Sequence, residues 1–276
     1  MKTMININLF SALESVFRYS FMQHAFEAGT VIAIVAGIIG YLVVLRRTSF
    51  AAHAYAEIGF AGAAGSVLLG INPLIGLLSA SIIGGSAIAV LGRSASQRDV
   101  EIGSVLAFAL GLGLLFISLY TGYATEAYSI LFGEILGISS GSVLLTLAVS
   151  LIILAAAAVV YRPILFDSLD EEVAEAKGMP TLLLGVIFMV LLAAAVSIAI
   201  QVVGVLLIFA LMVTPAAIAI RLTKKPVYAI AISVLVALLA TWIGLFISFY
   251  EPYPVSFFIT SIVFASYLFV RFVYPK

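Results

Sequence analysis

From Thr181 to Ile220 the chain runs forty residues without a charged side chain. As one α-helix this stretch would reach about 60 Å, against a bilayer hydrocarbon core of roughly 30 Å. It therefore reads as two membrane crossings joined by a reversal. Inside lipid, the backbone groups freed at a reversal need protein partners, so this turn must be tight and shielded. The turn cues are Ser197, Gln201 and Gly204, and Pro215 in "LMVTPAAIAI" is expected to kink the second crossing.

The rest of the chain agrees. It is 64% hydrophobic and 9% charged over 276 residues, whereas a soluble domain is about half apolar and a quarter charged. The apolar runs are continuous, unlike the alternating strands of a membrane barrel. The fold class is all-α and polytopic. Nine spans are expected: Ala28–Leu45, Phe50–Leu69, Leu74–Leu91, Ile102–Leu119, Val143–Tyr161, Leu182–Ile200, Val202–Ile220, Val227–Ile247 and Val255–Val270. With nine, all of the 13 Lys and Arg except Lys2 and Arg18 fall on one side. The positive-inside rule makes that side cytoplasmic, and the C-terminus with it. One membrane domain is expected to fill residues 1–276. Residues 1–27 do not resemble a signal peptide. They read as an interfacial segment, with Leu9, Phe10, Leu13, Phe17 and Phe21 on one side. The outer stretch "TGYATEAYSILFGEILGISSG", Thr121–Gly141, is too polar to span and reads as a short re-entrant or surface helix. Zero net charge gives no support for nucleic-acid binding. The absence of Cys excludes disulfides and thiolate metal ligands.

The longest charged stretch is "RPILFDSLDEEVAEAKGMP", Arg162–Pro180. Ser168 and Glu171 have capping-box spacing. Acidic residues including Glu172 fill the first turn, Lys177 lies in the last, and Gly178 and Pro180 stop the helix. A short cytoplasmic helix follows, within 163–180, whose Val173 and Ala176, with Leu169 a turn earlier, offer a small docking surface. The plain alternative is a surface helix joining two spans.

Other polar residues are few. His53 and Glu57 in "FAAHAYAEIGFAGAAG" are four apart and share one helix face. Ionisable groups within a span mark function unless they are paired. The competing reading is structural: a His–Glu hydrogen bond within the helix, or bonds to neighbouring helices. His24 and Glu27 stand where the N-terminal segment meets the first span. Asp99 reads as a helix N-cap, with Glu101 and Arg98 beside it. Glu126 and Glu134 lie on the outer side, Gln201 reads as a backbone partner at the reversal, and Trp242 reads as an interface anchor.

Six stretches stand out in order along the chain: "SFMQHAFEAG", "RRTSFAAHA", "RDVEIG", "LFGEILGIS", "FDSLDEEVAEAKGMP" and "IQVVGVLLIFALMVTPAAIA". Together they resemble, in family order, the membrane permease of metal-type ABC importers, the family that takes up zinc, manganese or iron delivered by a substrate-binding protein, which implies a bacterial or archaeal cell membrane. The resemblance implies a permease dimer, usually two copies, around a central pathway. It implies a cytoplasmic ATPase dimer, holding ATP and Mg²⁺, bound to the coupling helix (Leu169, Glu172, Val173, Ala176, Lys177, Gly178), and an extracytoplasmic metal-binding protein. The chain has no GxxxxGK[ST] of its own, as suits a transport subunit that is not itself an enzyme. His53 and Glu57 would then form a transient metal site on the dimer axis, and Ser49, Glu134 and His24 are pathway candidates. There is one departure. The family commonly has Asp four residues before this His, where Ser49 stands here. The carboxylate lies instead at Glu57, so the ligand pair is moved by one turn or lost. Two rivals remain: another substrate on the same chassis, and a stand-alone secondary transporter using His53 and Glu57 as a proton relay. Inverted repeats would suit the latter, and the sequence has no evident ones.

Overall fold

The computed structural model describes residues 14–91, 95–120, 133 and 135–274, with side chains outside 87–101. Among the described residues there is no strand; residues 14–17 are helical, and the helices that follow are α1 Ser20–Leu45, α2 Ser49–Leu68, α3 Pro73–Leu91, α4 Ala95–Leu119, α5 Ser140–Leu169, α6 Glu171–Ala176, α7 Thr181–Val203, α8 Val205–Leu222, α9 Pro226–Tyr250 and α10 Val255–Val273. Each expected span coincides with one of the nine long helices. By length and composition, seven of the described helical stretches can cross a membrane: α1, 102–119 of α4, α5, α7, α8, α9 and α10. α3 supplies a shorter apolar stretch, Pro73–Ser86. α2 is 20 residues long but interrupts its apolar character with His53, Tyr55 and Glu57, and most of it is buried inside the protein.

Two packing groups surround α7. α2 lies against α3 and α4, while α1 lies against α5, α8 and α9. α7 touches both groups, and its second half, from Leu191 on, is almost wholly buried. Small residues set these distances. A side chain on Gly62 of α2 would strike the carbonyl oxygen of Gly76 on α3, and one on Gly76 would strike that of Gly62. The two backbones therefore touch, as small-residue contacts in membranes allow. Faces of α4, α5, α9 and α10 show large apolar side chains such as Phe108, Ile152, Leu235 and Phe264, which suits lipid.

The charge-free forty residues form α7 and α8, separated by Gly204 alone. Gly204 has φ 80° and ψ 166°, a region nearly restricted to glycine. Its N–H donates to the Ile200 carbonyl at 2.9 Å, so the turn satisfies its own backbone. Gly133, also at positive φ (75°), presses on the backbone of Val202, Val203 and Gly204. Gly133 thus covers the turn. Gln201 does not serve it as expected: its side-chain oxygen is buried without a partner.

Three local expectations are corrected. α1 is continuous from Ser20, so His24 and Glu27 belong to it; Leu9, Phe10 and Leu13 lie outside the described residues. α4 begins at Ala95, which puts Asp99 inside the helix and not at its cap. α5 runs through Pro163 to Leu169, and the cap of α6 is Asp170, whose carboxylate accepts from Val173 N–H at 3.0 Å. Ser168 instead donates from α5's last turn to the Ile164 carbonyl. Asp170 and Val173 have the same three-residue spacing as Ser168 and Glu171, and the carboxylate at the true break wins.

Candidate functional site

α2 holds its polar pair by helical geometry alone. His53 and Glu57 lie one turn apart in an Ala- and Gly-rich helix, with Ser49 one turn before His53. His53 is half-buried and its ring packs against Phe209 of α8, centroids 5.2 Å apart. Glu57 is buried, at 8% exposure. His53 Nδ1 and Glu57 Oε2 are both buried without a hydrogen-bond partner. No hydrogen bond or ion pair joins the two residues among the described residues. The structural His–Glu bond is therefore not formed, and both groups keep lone-pair capacity. Leaving such atoms unpaired is costly, so a ligand or proton that satisfies them binds to a site already prepared.

Among the described residues there is no group of three His, Asp or Glu able to hold an ion. Zn²⁺ takes four ligands and Mn²⁺ more, usually with oxygen donors and water. His53 and Glu57 are two such side chains on one helix face.

The other candidates lie elsewhere. His24 is half-buried near the start of α1, in a cleft of about 720 Å³ with Glu27, Thr30, Ser140 and Trp242. Along α1 it stands about 30 Å from Leu45, at the far end from the α1–α2 turn. It does not join the α2 pair. Trp242 donates from Nε1 to Thr30 Oγ1 at 2.9 Å, tying α9 to α1. Glu126 and Glu134 lie outside the described residues, as do the side chains of Arg98, Asp99 and Glu101.

On the other face of the molecule, α6 presents Leu169, Glu172, Val173, Ala176, Lys177 and Gly178, all exposed. Only Ala174 of the helix is buried. Gly178 adopts φ 74° just past the C-cap, the usual left-handed stop. Lys177 Nζ sits 4.9 Å from the Phe166 ring centre, fastening α6 back onto α5.

Sequence reasoning missed one buried ion pair. Arg46 Nη1 donates to Asp167 Oδ2 at 2.7 Å, joining the end of α1 to the last turn of α5. Arg46 was visible only as one of the cytoplasmic cations. Asp167 carried no periodicity or motif that set it apart from its acidic neighbours.

A family model, the ABC 3 transport family, matches residues 18–274. The chain belongs to that family. Among its relatives is the manganese transport system membrane protein MntC of Listeria monocytogenes, 32% identical over 86% of this chain and 85% of its own. Another is the manganese import system permease protein ScaB of Streptococcus gordonii, 31% identical over 84% of this chain and 83% of its own. Among solved structures, PsaBC from Streptococcus pneumoniae in complex with Fab superposes with a TM-score of 0.87 at 29% identity, over 97% of both chains. The metal-importer resemblance of the sequence motifs is thereby borne out at the level of the family, across nearly the whole chain.

Proposed function

We propose that this chain is the membrane permease subunit of an ATP-driven ABC importer for a divalent transition-metal cation, with manganese the first candidate and zinc the second. Its relatives' manganese transport supports that order. The observation that carries the proposal is the pair of buried, unpartnered donors on α2, His53 Nδ1 and Glu57 Oε2. In a two-fold dimer, two imidazoles and two carboxylates would meet, giving a mixed N/O set that suits Mn²⁺ or Zn²⁺. The set is weak enough for the ion to leave, as conduction requires. Ser49 lies one turn below the pair, on the cytoplasmic approach. His24 and Glu134 would lie on the outer approach.

The assembly follows from this. A second copy closes the pathway, and an extracytoplasmic metal-binding protein delivers the ion. A cytoplasmic ATPase dimer, which holds the ATP and Mg²⁺, receives the exposed face of α6. All nine long helices would cross the membrane, with α2 and α3 shielded by their neighbours, and the C-terminus would be cytoplasmic. The chain itself performs no covalent chemistry.

The test is uptake of Mn²⁺ and Zn²⁺ into proteoliposomes holding the permease, its ATPase and its binding protein. Glu57→Gln removes a charge from a buried position, so it should leave stability unchanged or raised. Uptake should fall by at least about tenfold, the lower bound even for losing an outer-shell metal partner. His53→Ala should do the same to uptake. Full uptake in both variants would refute the site. Transport by the chain alone, without ATPase, would refute the importer reading.

A further inference from the structure

Asp167 is an unusual residue for the end of a surface-reaching helix. It is 3% exposed, one oxygen is bound to Arg46, and the other, Oδ1, is buried without a partner. The arginine is equally committed. Besides Asp167 it reaches Ser168 Oγ at 3.3 Å, and its guanidinium lies 5.1 Å from the ring centre of Phe188 on α7. One side chain thus joins the ends of α1 and α5 to the body of α7. A cleft of about 470 Å³ opens beside it, lined in part by Arg46, Arg47, Glu171, Thr181 and Gly185. That cleft gives the joint room to shift.

What lies on each side of the pair gives it meaning. Asp167 precedes the break at Asp170 by three residues, and the break is a single extended residue (φ −157°, ψ 96°) leading into α6. α6 is held against the end of α5 by Lys177 on the Phe166 ring, and only Asp170 separates the two helices. On the other side, Arg46 caps α1 and α2 begins at Ser49. The turn between has no slack. Arg47 holds φ 56°, the one left-handed non-glycine among the described residues, and Thr48 donates to the Val43 carbonyl through both N–H (2.9 Å) and Oγ1 (3.2 Å). His53 follows one turn after Ser49. From the exposed face of α6 to the donors on α2, the path therefore runs through short, stiff connections and one charged contact.

We propose that the Arg46–Asp167 pair is the joint that delivers movement of α6 to the start of α2, so that both are positioning residues for metal transfer. The inference rests on the importer reading above. In this role the pair sets how much metal moves per ATP, and not whether ATP is hydrolysed.

The experiment uses the complete transporter in proteoliposomes, with Mn²⁺ uptake and ATP hydrolysis measured in parallel. Arg46→Gln and Asp167→Asn should retain the ATPase and hydrolyse ATP within about twofold of the unaltered assembly, while metal moved per ATP falls about tenfold, a typical coupling effect. The double variant Arg46→Met/Asp167→Leu strands no charge and so guards against a folding defect. It should assemble normally and still be uncoupled. If unaltered protein imports metal but the double variant keeps the unaltered ratio, or loses uptake and hydrolysis in step, the joint is refuted while the importer reading stands. If unaltered protein moves no metal with ATP, the importer reading falls and the joint with it.

Discussion

Substituting Gly62 by Ala places one methyl where α2 and α3 already touch. The new Cβ would meet the Gly76 carbonyl oxygen and Ala80 Cβ, and would lie 2.8 Å from the Gly76 carbonyl carbon, inside the 3.0 Å that real Cβ atoms respect. The obstacle is backbone, which cannot rotate aside. Relief requires the helices to part by about 1 Å, and a gap of that order forfeits a quarter to a half of the dispersion attraction at each facing atom pair. The cost belongs at the upper end of the overpacking range, about 3 kcal/mol. Gly111 supplies the control, since nothing lies within 4 Å of its added Cβ. Gly111→Ala should be neutral or gain up to about 1 kcal/mol from helix propensity. Unfolding of the purified chain in detergent, driven by dodecyl sulfate and followed by its one tryptophan, measures both. That residue, Trp242, reports on the α1–α9 contact through Thr30, so a shifted midpoint signals loss of the whole bundle. Equal stability of Gly62→Ala and Gly111→Ala would refute the backbone contact between α2 and α3.

Two shorter predictions concern other elements. Gly204→Ala should cost about 1–3 kcal/mol, the usual strain of forcing a side chain into this backbone region, read in the same unfolding experiment; an unchanged midpoint would count against the φ of 80°. Val173→Asp places a charge on the exposed apolar face of α6 and should abolish copurification of the ATPase while leaving the permease itself folded, because Val173 is 42% exposed; undiminished copurification would remove α6 from the interface.

Much of the fold was legible because lipid imposes one rule on every span. A segment of about 20 apolar residues in helical form satisfies its own backbone, and all nine expected segments proved helical. Their ends were less legible. The fifth expected span ends at Tyr161, yet α5 passes through Pro163 to Leu169, since a proline removes one donor and neighbours can absorb the kink. Of the candidate site, the shared face of His53 and Glu57 followed from spacing alone. Their lack of partners did not, because it depends on which helices surround α2. Phe209 and the Arg46–Asp167 contact were invisible for the same reason: the pair is 121 residues apart in the chain. Local pattern records the charge of each residue and says nothing of which opposite charge it will meet.

The single-residue joint at Gly204 makes this stretch of chain a ruler. Adding one residue within the first turn of α8 would turn the rest of that helix by about 100° and advance it by about 1.5 Å relative to α7. Phe209, five residues after Gly204, would swing off the His53 ring, and Arg221 would leave the Tyr267 ring that it now faces at 5.8 Å. Length variation among related chains should therefore collect in the outer and terminal segments and be absent between Thr181 and Leu222, where the count of residues is itself part of the site.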